Sequence, residues 1–449
     1  MRFVETWGDT FRYSKDQGWL AYNNLFWEPS EEAAGRAAMI TALSVAEEAA
    51  GMGVPPDTAK AILAWAKQSL SAVRIREMLS LARYHETISR KLVSFDRNNW
   101  LLNTPTGTID LHTGQLLPHN PAHLISQITR TTYDPNAECP RWLSFIDDVT
   151  NGSPQLAFTL QQAAGYALTG DISERCVFIL YGGGSNGKSC LVDTLHYILG
   201  SYAKVAPATT FANSGFSDNN TQYAMATLRG KRLVLASEGE QGAKLAESVV
   251  KQMTGDASIT ARLPFQGFFE FQPTFKVFYS TNHKPTIRGG DKAVWKRIRL
   301  IPFAVTIPDE KQIPNLVSLL CQEGPGILNW ALEGLFAWTA MDKRMKMSEE
   351  CVDAKNEYKD EEDTIQGFIN DCLLLDPGGM ETSSDVYTAY KEWAATNGLR
   401  QMSHARLTPL LKEKGFVLIK TTRYNAWKDV TIDKYKSSRG TEQRESRDW

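Results

Sequence analysis

The sequence has little of what would place a protein outside the cell or in a membrane. Its 449 residues include only six cysteines, Cys139, Cys176, Cys190, Cys321, Cys351 and Cys372, with no C-x-x-C pair. That scarcity argues against both a disulfide framework and a zinc site, and for a reducing compartment. No apolar run approaches the length of a bilayer-spanning helix, and Met1-Arg2-Phe3-Val4-Glu5 does not open a secretory signal, so a cytosolic protein without membrane attachment is expected. A charge bias is missing too. Lys plus Arg number 49 against 51 Asp plus Glu, so a nucleic-acid partner would have to be held by local basic surfaces. No internal repeat is evident. His112, His119 and His123 lie close together, but in a loop-like setting without nearby cysteines, and read as solvated or structural side chains.

What is present is a run of glycines with a specific ending. Gly182-Gly183-Gly184-Ser185-Asn186-Gly187-Lys188-Ser189 is a full G-x-x-x-x-G-K-S phosphate loop, entered by the apolar run 176–181 and left by the apolar run 191–195. In such a loop the backbone N–H groups from Gly182 through Cys190 turn onto phosphate oxygens. Lys188 reaches the β and γ phosphates, Ser189 ligates Mg²⁺, and the following helix aims its positive end at the site. ATP and Mg²⁺ are the expected cofactors. A glycine-rich surface turn is the alternative reading, but a turn needs no buried strand before it, no apolar helix after it and no Lys-Ser at its end.

The chain divides into three parts and a tail. Residues 1–138 form a mainly helical part that opens with an aromatic hairpin pattern, Gly18 to Trp27, turning at Asn23-Asn24. Apolar residues at helical spacing follow over 31–50, 57–70 and 72–92, and then a β-like segment from Asn103 to Pro118. Residues 139–363 alternate helices with apolar strands at 176–181, 233–236, 275–280 and 297–303, the pattern of an α/β core with a mostly parallel sheet, and end in charged helices over 331–363. Residues 364–433 hold helices over 385–395 and 403–412 and strands over 415–419 and 424–430, which suggests a winged helix. From Asp385 to Ser437 there are ten Lys/Arg against five Asp/Glu, a local excess of five positive charges; docking to another protein is the alternative use of this part. The tail, 434–449, is polar and expected to be disordered.

Phosphoryl transfer also needs an acidic group beside the metal, at the end of a buried strand. Arg232-Leu233-Val234-Leu235-Ala236-Ser237-Glu238 supplies it, and Glu238 is the candidate catalytic carboxylate and second metal ligand, with Glu240 nearby as an alternative. A solvated loop glutamate is the competing reading. A second buried strand ends Ser280-Thr281-Asn282, and Asn282 is the kind of polar group that can sense the γ phosphate.

The ordered series of motifs resembles the superfamily three helicases of viruses and mobile elements, within them the poxvirus-type and phage or plasmid primase-helicases. Lys251 to Arg262 looks like that group's B-prime motif, Ser280-Thr281-Asn282 like its motif C, and Trp295-Lys296-Arg297-Ile298 like its arginine-finger segment. Asn103 to Leu117 and Cys139-Pro140-Arg141-Trp142 look like parts of the helical domain that precedes the ATPase in those proteins. The resemblance implies an ATPase core of AAA+ type in a ring, expected to be hexameric, that translocates 3′ to 5′ on single-stranded DNA and unwinds forks. The localisation implied is a bacterial host cytosol if the gene belongs to a phage, with separate primase or replication proteins as further partners. Carried over by residue, Lys188, Glu238 and Asn282 act at the nucleotide, and Arg297 reaches a neighbour's site. Lys244 and Lys251 match basic family positions that face nucleotide or the subunit interface, solvent-exposed lysines being the equal alternative.

The segment from Ile259 to Pro273 would be the channel hairpin, with its tip at Pro264-Phe265-Gln266-Gly267. Many relatives place lysine at that tip and this chain does not. Phe265 stacking on a base, beside Gln266 and with Arg262 or Lys276 on phosphate, would substitute, and Phe265 packed into an interface core is the alternative. Ser237 stands where many relatives carry a first acidic residue. The stretch before the helical part is too short for a primase module, so primer synthesis is not expected. Two other classes stay open: a packaging or initiator ATPase without processive unwinding, and an ATP-gated DNA-binding regulator.

Overall fold

The computed structural model describes residues 2–49, 54–211, 219–237, 244–245, 247–255, 258–262, 267–287, 292–362, 364–399, 401–420 and 424–433. The polar tail from residue 434 lies outside them. The chain forms two compact units, Met1–Ala354 and Lys355–Trp449.

Aromatic side chains organise the first residues. Phe3, Phe11 and Trp19 pack with ring centroids 5.6–6.3 Å apart beneath an antiparallel sheet of Phe11–Ser14, Gly18–Tyr22 and Trp27–Pro29. The expected hairpin turn is present. Asn24 has a φ of 73°, and the Asn23 side chain accepts the N–H groups of Leu25 and Phe26. Helices Glu31–Ala49, Pro56–Ser69 and Ala72–Ala82 cover this sheet region. The last of them is shorter than its apolar spacing predicts. Past Arg83 the chain turns so that Ile88, fully buried, and Arg90 bond through their backbones to Tyr13 of the first sheet, and that pairing outweighs continued helix.

A second small sheet, Leu101–Thr104, Gly107–Asp110 and Leu116–Leu117, is fastened to residues that flank the strands of the central sheet. The Asn103 N–H donates to the Tyr202 hydroxyl at 3.0 Å. The buried Arg232 guanidinium lies 4.5 Å over the Tyr202 ring and donates to the carbonyls of Leu101 and Leu168.

The central sheet is parallel throughout, in the order Ile298–Pro302, Val177–Tyr181, Lys276–Thr281, Leu233–Ser237, Ala203–Val205. Phe178, Ile179, Leu180, Val234, Phe278, Leu300 and Ile301 are buried, as expected of strands covered on both faces. All four expected strands match within a residue or two at each end. Helices Pro154–Leu168 and Gly324–Ala340 pack closely because each has a glycine at the crossing: a Cβ at Gly165 would overlap the Leu335 N, and one at Gly334 would overlap the Gln161 carbonyl. Gly324–Ala340 is therefore a buried helix, against the expectation of a charged one. The charged helix is Glu349–Glu362.

In the second unit the order is helix Thr364–Cys372, strand Leu373–Thr382, helices Ser383–Thr396 and His404–Glu413, and strands Val417–Lys420 and Asn425–Ile432. The strands form one antiparallel sheet with Asn425–Ile432 in the middle, over a core that includes Phe368, Tyr390, Leu407, Leu411 and Trp427. The sequence reading missed the first helix and first strand of this unit.

Candidate nucleotide-binding site

Strand register places the site. Val177 lies opposite Val277 and Tyr181 opposite Thr281, so the phosphate loop and Asn282 leave the same end of two adjacent strands. Gly182 passes so close to Phe303 that a Cβ would meet the Phe303 carbonyl. Gly187 has a φ of 84° and no room for a Cβ beside Val149. These two positions require glycine. Gly183 and Gly184 instead face open space, which leaves their backbone accessible. Asn186 is buried and ties the loop down, donating to the carbonyls of Gly183 at 2.6 Å and Phe303 at 3.2 Å, while the Ile307 N–H donates to the Ser185 carbonyl at 2.7 Å.

Lys188 opens the helix Lys188–Leu199 and is buried to 4% exposure. Its ammonium donates to the carbonyls of Gly182 (2.7 Å) and Gly183 (3.0 Å) and to the side-chain oxygens of Asn186 (3.0 Å) and Asn282 (3.1 Å). Burial disfavours the charged form and brings its pKa from the ordinary lysine value down to about 8. Ser189 is exposed on the first turn of the same helix, and Cys190 is half-buried, its thiol pushed up by desolvation. A cavity of about 770 Å³ opens beside the loop, lined by Ser185, Gly187 and Cys190 on one side and by Arg141, Phe145, Asp148, Ile307, Pro308 and Lys311 among others. Accessible loop backbone, the start of a 12-residue helix and a buried ammonium fit an anionic, phosphate-bearing ligand. Ser189 fits Mg²⁺, which keeps several waters and takes few protein ligands.

Residues 1–151 match the family described as "D5 N terminal like", and residues 180–297 match a "Family of unknown function (DUF5906)". A protein of Acanthamoeba polyphaga mimivirus named "Putative helicase" is 29% identical over 216 residues, 47% of this chain and 22% of its own length. A "Putative helicase" of Frog virus 3 is 26% identical over 277 residues, 57% of this chain and 28% of its own length. A "Putative primase" of African swine fever virus is 25% identical over 328 residues, 68% of this chain and 34% of its own length. The A form apo structure of the NrS-1 C-terminal region has the same fold, with a TM-score of 0.53 at 10% identity, covering 93% of this chain and 96% of that one. Over these stretches the chain is similar to viral proteins named as helicases and primases. It spans between about a fifth and a third of the length of these curated relatives.

The remaining candidates fall in three places. Arg297 ends the helix Lys292–Arg297 and donates to the Thr254 hydroxyl at 2.7 Å, which joins it to the helix Glu247–Thr254 that carries Lys251. Arg262 lies on an antiparallel hairpin of Ile259–Arg262 and Phe268–Phe271, with its guanidinium 5.4 Å over the exposed Phe268 ring. Glu238, Glu240, Phe265 and Gln266 lie outside the described residues, while Lys244 is described only as part of the strand Lys244–Leu245.

Lys276 is a correction. It is buried to 2% exposure on the central sheet, lies 4.7 Å from the Tyr166 ring centroid, and donates to the carbonyls of Thr169 and, at 3.2 Å, Asp171. Desolvation holds its pKa well below the ordinary lysine value. It is a structural lysine of the core and does not reach a DNA phosphate.

Two contributors to the site had no signal in the sequence, the fourfold cage around Lys188 and the 305–316 segment that walls the cavity. Away from the site, Glu174 fastens the core. The Glu174 carboxylate pairs with Arg299 at 3.1 Å and accepts the Trp338 indole N–H at 3.1 Å. Among the described residues no helix is long and apolar enough to cross a membrane.

Proposed function

We propose that the chain is the ATPase of a DNA-unwinding motor that works as a ring of identical subunits on single-stranded DNA. The observation that carries this reading is the bond between Lys188 and Asn282 where two parallel strands end together. A lysine that binds the γ phosphate and an asparagine that shares its ammonium form a unit that registers whether that phosphate is present. Placing the phosphate-loop strand between Lys276–Thr281 and Ile298–Pro302 supports an AAA+ type core. The helix, strand, two helices and hairpin of 364–432 support a winged helix as the DNA-engaging part.

At the nucleotide, the loop N–H groups and Lys188 orient the phosphates, and the cavity beside the loop takes the nucleoside. Mg²⁺, when bound through Ser189 and Glu238, neutralises charge on the β and γ phosphates. Glu238 positions the attacking water and accepts its proton. Arg297 sits at the other end of the sheet: Ile298 lies opposite Val177, the first residue of the phosphate-loop strand, a five-residue strand of about 16 Å. Serving a neighbouring subunit is therefore its catalytic role, and its stretch of the chain is a subunit interface.

Purified protein should hydrolyse ATP faster when single-stranded DNA is added. Lys188→Ala should lower turnover by about 10²–10³ with unchanged circular dichroism, and Glu238→Gln should bind ATP but turn over slowly. Near wild-type turnover by folded Lys188→Ala removes the ATPase assignment. Stimulated turnover without strand separation favours the initiator or packaging reading.

A further inference from the structure

A second cavity of about 770 Å³ lies away from the nucleotide site. It is walled by the first sheet and its first turn (Tyr13, Lys15, Asp16), by the turns after helix Ala72–Ala82 (Arg83, Tyr84, Arg90, Lys91), by Arg229, and by Phe269 and Glu270 of the strand Phe268–Phe271. Five cations face two carboxylates there. Among the described residues none of the five is in an ion pair, so the cavity keeps its positive charge. Several of the cations are fixed in place. Arg83 lies 4.9 Å over the Tyr84 ring and 5.9 Å from the Tyr13 ring, and donates to the Tyr84 hydroxyl at 3.0 Å. Arg90 donates to the carbonyls of Glu86 and Ser89, and Arg229 to that of Leu92. Tyr84 is 72% exposed, a large aromatic surface held beside these charges.

We infer that this groove is a binding site for single-stranded DNA, which it receives from the adjoining hairpin. The inference rests on the reading of the chain as a DNA motor but assigns a site that neither the nucleotide motifs nor the hairpin tip includes. Unpaired, pre-positioned cations recognise successive phosphates, and Tyr84 and Phe269 offer faces for bases; interleaved cations and aromatics suit a single strand, whose bases are free to stack. A duplex keeps its bases paired and an acidic peptide has no use for the aromatic faces.

The test is fluorescence-anisotropy binding of a 30-residue oligo-dT across a salt series, with wild type and the triple variant Arg83→Ala/Tyr84→Ala/Lys91→Ala. The variant should bind at least tenfold more weakly. The slope of log affinity against log salt should flatten by about 1.4, near 0.7 for each lost phosphate contact. Basal ATP turnover without DNA should be unchanged, which reports an intact fold. The conservative pair Arg83→Lys/Tyr84→Phe should restore most of the binding, and ultraviolet cross-linking with a 5-iodouracil oligonucleotide should label Tyr84 or Phe269. Equal affinity and equal salt slope in wild type and triple variant overturn the groove assignment and leave the motor reading standing. Lost binding of poly-glutamate with unchanged binding of oligo-dT also overturns it, in favour of an acidic protein partner. Absence of oligo-dT binding by the wild type overturns both readings.

Discussion

At the scale of single residues, the chemistry concentrates on Lys188, whose burial gives a measurable consequence. With its pKa brought down to about 8, the side chain is mostly neutral above that pH, and a triphosphate placed against it restores the charge. Nucleotide binding near pH 9 should therefore take up close to one proton per site, and affinity should fall as pH rises through 8, by up to tenfold per pH unit. Below pH 7 the lysine is already charged and uptake should vanish. Calorimetry in buffers of different ionisation enthalpy measures this directly, and buffer-independent heats at pH 9 would contradict it. Lys188 was legible in the sequence because a phosphate loop writes its chemistry into eight consecutive residues. Lys276 was misread for the opposite reason. A lysine at the start of a buried strand looks the same whether its side chain ends in water or on carbonyls, and the carbonyls that receive it belong to Thr169 and Asp171, more than a hundred residues earlier.

At the scale of elements, four of the five strands of the central sheet were legible because doubly covered strands are continuous apolar runs bounded by polar turns; Ala203–Val205, three residues of which two are exposed, carries no such run. The strand Leu373–Thr382 was hidden by Asp376-Pro377-Gly378-Gly379, a turn signature that the sheet absorbs as an irregularity between Leu375 and Met380. The pairing of helices Pro154–Leu168 and Gly324–Ala340 was illegible, since neither glycine announces what lies across from it. Gly334→Ala forces a methyl against a backbone carbonyl that cannot turn away, and should cost about 1–3 kcal/mol, read as a fall in the thermal midpoint of several degrees. Gly184→Ala places its methyl in open space at the phosphate loop, so it should leave the midpoint within a degree and weaken nucleotide binding instead. A Gly334→Ala protein as stable as wild type would refute the close-packed crossing.

At the scale of the whole molecule, the proposed ring places Arg297 where only another subunit can use it. Arg297→Ala and Lys188→Ala should each be inactive, yet mixed rings should regain activity. A Lys188→Ala subunit still offers its arginine to a neighbour whose phosphate loop is intact. No recovery at any ratio from assembled mixtures would count against the trans role, and normal turnover by Arg297→Ala alone would exclude it. The likeness to viral helicases and primases was legible from the order of motifs along the chain, whereas the groove between the first sheet and the hairpin was not, because its cations come from four separate stretches of sequence. The most direct measurement is a gel assay of the purified chain with labelled forks carrying a 3′ or a 5′ single-stranded tail, ATP and Mg²⁺. Strand separation should require ATP, favour the fork with the 3′ tail and disappear in Lys188→Ala, whereas ATP hydrolysis stimulated by DNA with neither fork separated would contradict the assignment of the chain as an unwinding motor.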